Sequence, residues 1–145
     1  MGLNEGEWLR NHLGYQLQMT NLRLMDRVRA ALQPGDLTPA KLTALTLIRD
    51  NPGCDQSALG RALSINRSSA MKIATALADR GLVERRPGRD LRTNALHVTD
   101  AGAAALAEMA GALDRIEADF ARPLTEPEAA QLMRLLVKLR GRTPR

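Results

Sequence analysis

The sequence predicts a mainly α-helical chain with one small β-hairpin. That class rests on three features. Apolar residues recur at helical spacing towards both ends of the 145 residues. The middle holds a short helix, a tight turn and a longer helix in succession. Two alternating runs then flank a Pro-Gly turn, the pattern of a hairpin.

The first helix is expected from about Glu5 to Leu32, free of proline and with Gly14 as its only late breaker. It carries two apolar stripes, one of Leu9, Leu13, Leu17, Thr20, Leu24 and Ala31, the other of Trp8, His12, Tyr15, Met19 and Leu22. One face can pack on its own core, and the second asks for a partner chain or a ligand. Pro34-Gly35-Asp36 ends this helix, and Thr38 caps the next with Pro39 in its first position. Leu42, Leu45 and Ile48 face inward there, with Ala44 and Leu47 beside them, until Asn51-Pro52-Gly53 stops the run.

Cys54 or Asp55 then caps a short helix with Ala58, Leu59 and Ala62, and Leu63-Ser64-Ile65 connects it to a longer one capped by Asn66. Ala70, Ile73, Ala74 and Leu77 form the inner face of that longer helix, and Gly81 ends it. Leu82 to Arg86 reads as a strand, Pro87-Gly88-Arg89-Asp90 as a turn, and Ala95 to Val98 as the return strand. Thr99 opens an Ala-rich helix reaching about Phe120, despite Gly102 and Gly111. After Pro123, Thr125 caps a last helix with Pro127 in its first turn and a stripe of Leu132, Leu135, Leu136 and Leu139. The order of elements is that of a winged helix-turn-helix over residues 37–99. Residues 1–36 and 100–145 form a helical dimerisation region around it, because their leucine and alanine exceed what a domain of ~60 residues covers, and soluble monomers rarely leave such patches exposed.

The net charge of +5 is concentrated. Between Arg61 and Arg92 lie eight Arg or Lys and three Asp or Glu, which leaves thirteen of each sign elsewhere. The whole excess therefore occupies this one segment, from the short helix through the longer helix to the hairpin, as expected of a polyanion footprint. Eighteen of the cations are arginines, suited to bidentate contacts with phosphate and guanine, although a GC-rich genome also enriches arginine.

The longer helix fits the major groove of double-stranded DNA. Beyond Asn66, Arg67 and Lys72 suit guanine, Ser68 and Ser69 any base or phosphate, and Met71 or Thr75 a thymine methyl. Gln56 and Ser57, at the start of the preceding helix, can offer free amides to a phosphate. Arg86 on the strand is expected to contact DNA, and it leads to a basic hairpin tip where Arg89 and Arg92 fit a neighbouring minor groove. Arg61, Arg80 and Arg85 read equally well as phosphate contacts or as partners in surface salt bridges.

These residues carry a family likeness. Leu59-Gly60-Arg61-Ala62-Leu63, Ser64-Ile65-Asn66-Arg67-Ser68-Ser69 and Ala76 through Arg85, with its Gly-Leu-Val-x-Arg run, are followed by Asp90-Leu91-Arg92 and Val98-Thr99-Asp100-Ala101-Gly102. Together they resemble the MarR (multiple antibiotic resistance regulator) family over nearly the whole length. The resemblance implies a homodimer with intertwined terminal helices, its two winged modules on successive turns of a pseudo-palindrome, and repression as the usual outcome. It implies that Asp90 orients Arg92 into the minor groove. The wing is among the shortest of the family pattern.

Many members of that family bind an aromatic acid, some an acyl-CoA thioester, between the dimer helices and the DNA-binding lobe. Here Trp8, His12, Tyr15 and Met19 could line such an effector pocket, with Arg23 or Arg49 as anion partner. The same four side chains read equally as packing in the dimer interface. Cys54 is expected to be an inert residue near a helix cap, and His97 a half-exposed strand residue or phosphate contact. With His12, Cys54 and His97 scattered, no metal site and no cofactor are expected.

The remaining classes are weaker. The chain has no Gly-rich phosphate loop, Gly-x-Ser-x-Gly elbow, His-Glu-x-x-His pair or Cys-x-x-Cys, so an enzyme is not expected. A winged-helix adaptor that binds proteins rather than DNA is the alternative, and the clustered charge argues against it. No run approaches the ~20 apolar residues of a membrane span. With Glu5 and Glu7 near the start and a single cysteine, a cytoplasmic protein without membrane contact is expected.

Overall fold

The computed structural model describes residues 4–33, 37–88 and 94–141. Among them are seven helices and one two-stranded antiparallel sheet. The breaker at Pro34-Gly35-Asp36 and the hairpin tip with Arg89, Asp90 and Arg92 lie outside the described residues.

The expected single first helix is two: α1 (Gly6–Arg10) and α2 (Leu13–Leu32). The break falls at Asn11 and His12, before Gly14, which sits inside α2. His12 is extended, at φ −94° and ψ 118°. Its Nδ1 lies 2.6 Å from the Trp8 carbonyl oxygen, and Gln16 Nε2 donates to the Arg10 carbonyl at 2.9 Å. Polar side chains thus take carbonyls that a further helical turn would have satisfied, so the helix can stop without loss. Leu9 is half-buried and Leu13 and Leu17 stay in solvent; α2 buries only Val28 and Leu32, near its end.

α3 (Pro39–Asp50) begins at Thr38, whose hydroxyl accepts from Lys41 N–H at 3.2 Å. Its inner face is Leu42, Ala44, Leu45 and Ile48. α4 (Gln56–Leu63) is capped by Asp55, which accepts from Ala58 N–H at 2.7 Å, and ends at Ser64 in the left-handed region with φ 55°. Ala62, expected inside, is exposed; Leu59 and Gly60 hold the contact. The left-handed residue reverses the chain within a few positions, and α5 (Arg67–Asp79) starts at once, capped by Asn66 through Ser69 N–H at 2.8 Å.

β1 (Val83–Pro87) pairs with β2 (Asn94–Val98), with Val83 opposite Val98 and Arg85 opposite Leu96. Leu96 also bonds backward: its N–H donates to the Cys54 carbonyl at 2.9 Å, and its carbonyl accepts from Gly53 N–H at 2.8 Å. That bridge ties the hairpin to the loop before α4. α6 (Asp100–Ala121) and α7 (Glu126–Arg140) complete the chain, capped by Thr99 and Thr125.

Leu45 and Ile48 of α3, Leu59 of α4, Leu77 of α5 and Leu96 of β2 are the largest fully buried side chains. Val28 and Leu32 of α2 and Leu106 of α6 close this core from outside. Burying each such aliphatic side chain stabilises by about 1.5–3 kcal/mol. α7 buries nothing, and its Leu132, Leu135, Leu136 and Leu139 all face solvent.

Candidate nucleic-acid interface

α5 is fixed from within and open from without. Ala70, Ala74 and Leu77 are fully buried, so the helix cannot roll without opening the core. Arg67, Ser68, Met71 and Lys72 are exposed on the other side, while Ser69 and Thr75 lie half-buried at its borders. Arg67 and Lys72 have no ion pair or hydrogen bond among the described residues. Their charges are therefore available to a ligand. Asn66 spends its side-chain oxygen on the helix start, which makes it a positioning cap as well as a candidate contact.

Gln56 and Ser57 occupy the first turn of α4, half-buried. The expected strand contact Arg86 is paired with Glu84 on the same strand. The neighbouring Arg85, readable in the sequence either way, has no carboxylate partner among the described residues; its Nη2 donates to Thr75 Oγ1 of α5 at 2.6 Å. The link between α5 and α6 is tight. Gly81 turns the chain at φ +69°, its carbonyl accepts from Thr99 Oγ1 at 2.6 Å, and Thr99 N–H donates to the Leu82 carbonyl at 3.1 Å. The end of α5 and the start of α6 are thereby joined through two hydrogen bonds from Thr99, to consecutive carbonyls.

The six expected effector-pocket residues fall in three places. Tyr15, Met19 and Arg23 line one cavity of about 640 Å³ beside the end of α6, together with Arg27, Asp119 and Phe120. Arg27 Nη1 meets Asp119 Oδ2 at 3.1 Å, and its guanidinium lies 5.5 Å from the Phe120 ring centre. Removal from water, then Glu5 beside it, raises the Tyr15 phenol above its ordinary pKa, with Arg23 opposing. Trp8 and His12 do not line that cavity; their rings stack on each other at 3.6 Å. Arg49 is on α3 and pairs with Asp50 at 2.8 Å. Sequence spacing missed Arg27, Asp119 and Phe120 because the α2–α6 contact joins segments distant in the chain, with no local signal.

Cys54 is half-buried, and burial first, then Asp55, pushes its thiol pKa up, with its own backbone amide opposing. No group of three or more His, Cys, Asp or Glu able to hold a metal occurs among the described residues, and none of their helices is long and apolar enough to cross a membrane.

Residues 35–92, from before α3 to the wing, match the MarR family. A Thauera aromatica protein, assigned as a transcriptional regulatory protein for the hcr operon, is 38% identical over 104 residues. That match takes in 71% of this chain and 63% of the relative, so the chain spans less than two thirds of that protein's length. Among solved structures, the transcriptional repressor CouR bound to a 23-mer DNA duplex superposes with a TM-score of 0.86 at 32% identity, covering 96% of this chain and 99% of that one. The Mycobacterium tuberculosis MarR family protein Rv2887 in complex with salicylic acid gives a TM-score of 0.72 at 27% identity, covering 88% and 96%. The likeness thus extends from the central module to the flanking helices, and the chain belongs to the MarR family of transcriptional regulators.

Proposed function

We propose that this protein is a ligand-responsive, DNA-binding repressor that acts as a homodimer on a pseudo-palindromic operator in the cytoplasm. Residues 37–99 bind DNA, with α5 in the major groove and the wing in the minor groove. Residues 1–36 and 100–145 pair the two copies. The observation that carries this reading is α5 itself: an inner face locked in the core and an outer face with the unpaired cations Arg67 and Lys72 among small polar side chains. Such a face can lie against phosphates and base edges without first breaking an internal salt bridge. The likeness to a repressor solved on a DNA duplex supports the same reading.

An aromatic acid or its CoA thioester is the proposed releasing ligand. The cavity between α2 and α6 is of a size to take a small aromatic compound, and Tyr15, Arg23 and Phe120 offer it a phenol, a cation and a ring. A relative solved with salicylic acid supports that ligand class.

Fluorescence anisotropy against the DNA upstream of the protein's own gene, at two salt concentrations, tests the proposal. The expected result is tight, sequence-dependent binding that weakens steeply with salt, reversed by an aromatic acid or CoA thioester. Weak binding equal on all DNA would refute a sequence-specific regulator. Binding that no such compound reverses would refute the effector class alone.

A further inference from the structure

We propose that Arg85 is a DNA-phosphate contact on the wing side of the major groove, held there by Thr75, and that the strand arginine meeting DNA is Arg85 rather than Arg86. The inference rests on reading α5 as the recognition helix.

Side chains alternate along a strand, so Val83 and Arg85 share one face of β1 while Glu84 and Arg86 share the other. Val83 is buried, which marks its face as the one turned to the module. Arg85, two residues on, leaves the core and reaches α5, where Nη2 donates to Thr75 Oγ1 at 2.6 Å. On the opposite face Arg86 pairs with Glu84, which offsets its charge.

The bond to Thr75 joins Arg85 to a defined stripe. Arg67, Met71 and Thr75 follow at successive four-residue steps, so they lie one above the next on α5. Eight residues of helix rise ~12 Å, about the width of the major groove. The stripe therefore begins with one cation, Arg67, and ends at a second, the guanidinium of Arg85, spaced to meet opposite walls of the groove. Thr75 is neutral and takes one of the five guanidinium N–H groups, so Arg85 keeps its full charge and its other donors. A guanidinium held in place before binding loses less side-chain freedom on meeting a phosphate than a free one would.

The test uses the full-length protein, an operator duplex selected from random sequence, and a scrambled duplex, titrated from 50 to 200 mM salt. Arg85→Ala should bind both duplexes more weakly by the same factor. Each phosphate contact costs about threefold in affinity over that fourfold rise in salt, and Arg85→Ala removes one from each copy of the dimer, so the variant should lose about tenfold less than the wild type. Arg86→Ala should keep the wild-type salt dependence. Thr75→Val should keep it too while binding less tightly, because the charge remains but its support is gone. Arg85 is exposed, and an unchanged melting temperature of Arg85→Ala would establish that the loss is not misfolding.

An unchanged salt dependence in Arg85→Ala, or its reduction in Arg86→Ala instead, overturns the assignment. Thr75→Val indistinguishable from wild type overturns the holding role. Wild-type protein with no salt-dependent binding to either duplex overturns the DNA reading itself, a result distinct from the failure of Arg85 alone.

Discussion

At Gly102 the first turn of α6 presses against the connection from α5 to β1. A Cβ added there would lie 2.1 Å from the Leu82 carbonyl oxygen and 2.8 Å from Val98 Cγ1. The carbonyl cannot retreat freely, because it accepts from Thr99 N–H while Thr99 Oγ1 holds the carbonyl of Gly81. Gly102→Ala is therefore expected to destabilise by on the order of 3 kcal/mol. A urea titration reads this as a lower midpoint at unchanged slope, and an unmoved midpoint would refute it. In the sequence this glycine looks like a tolerated weak spot in an Ala-rich helix, since nothing nearby announces the backbone of another segment. Cys54 is expected from the sequence to be an inert residue near a cap, and it is half-buried beside the cap residue Asp55. With its pKa raised by burial and by Asp55, the protonated thiol dominates at neutral pH. Alkylation by iodoacetamide should be slower than that of a short cysteine peptide at pH 7 and accelerate only above the ordinary thiol range. Equal rates at pH 7 would mean a thiolate, and with it a reactive role.

Helix starts are the elements most legible in the chain. Thr38, Asp55, Asn66, Thr99 and Thr125 each accept from a backbone N–H three residues on, and residue type alone marks such sites. The break between α1 and α2 was not legible, because it depends on where His12 and Gln16 place their side chains rather than on a proline or glycine. α7 begins with a reciprocal capping box, in which Glu128 accepts from Thr125 N–H at 2.8 Å and from its hydroxyl at 2.9 Å. Those bonds, the backbone one first, lower the Glu128 pKa. A lowered pKa in the folded state means that the carboxylate's contribution is complete above the ordinary carboxylate range and is lost as pH falls through the lowered value. Wild type should thus melt above Glu128→Gln at pH 7, and the two should converge on acidification below the usual carboxylate pKa. A difference in melting temperature that stays constant from pH 7 to pH 3 would show that Glu128 acts through shape and not charge.

At the scale of the molecule, α7 needs something beyond its own chain. A fifteen-residue helix is marginal in water on its own, even with a capping box, and none of its residues is buried. It nevertheless presents Leu132, Leu135, Leu136 and Leu139 on one side, while α2 leaves Leu13, Leu17 and Leu22 uncovered at the other end of the chain. The sequence exposed this surplus of leucine and pointed to a partner copy, but not to which residues meet across the pair, because a two-fold partner adds no residue that the chain itself does not contain. A second copy supplies a matching face by symmetry, since the same surface meets itself. Replacing Leu135 and Leu139 together by Glu puts two charges into that face and leaves the central core of Leu45, Ile48, Leu59, Leu77 and Leu96 untouched. Sedimentation should then find a monomer with a folded central module. Its affinity for a two-half-site operator should fall by about 10²–10⁴, the avidity lost when the halves bind independently, while its affinity for a single half-site stays close to that of one wild-type module. A double variant that still sediments as a dimer would move the interface away from α7, and would leave that exposed leucine face to be covered by a partner other than a second copy of the chain.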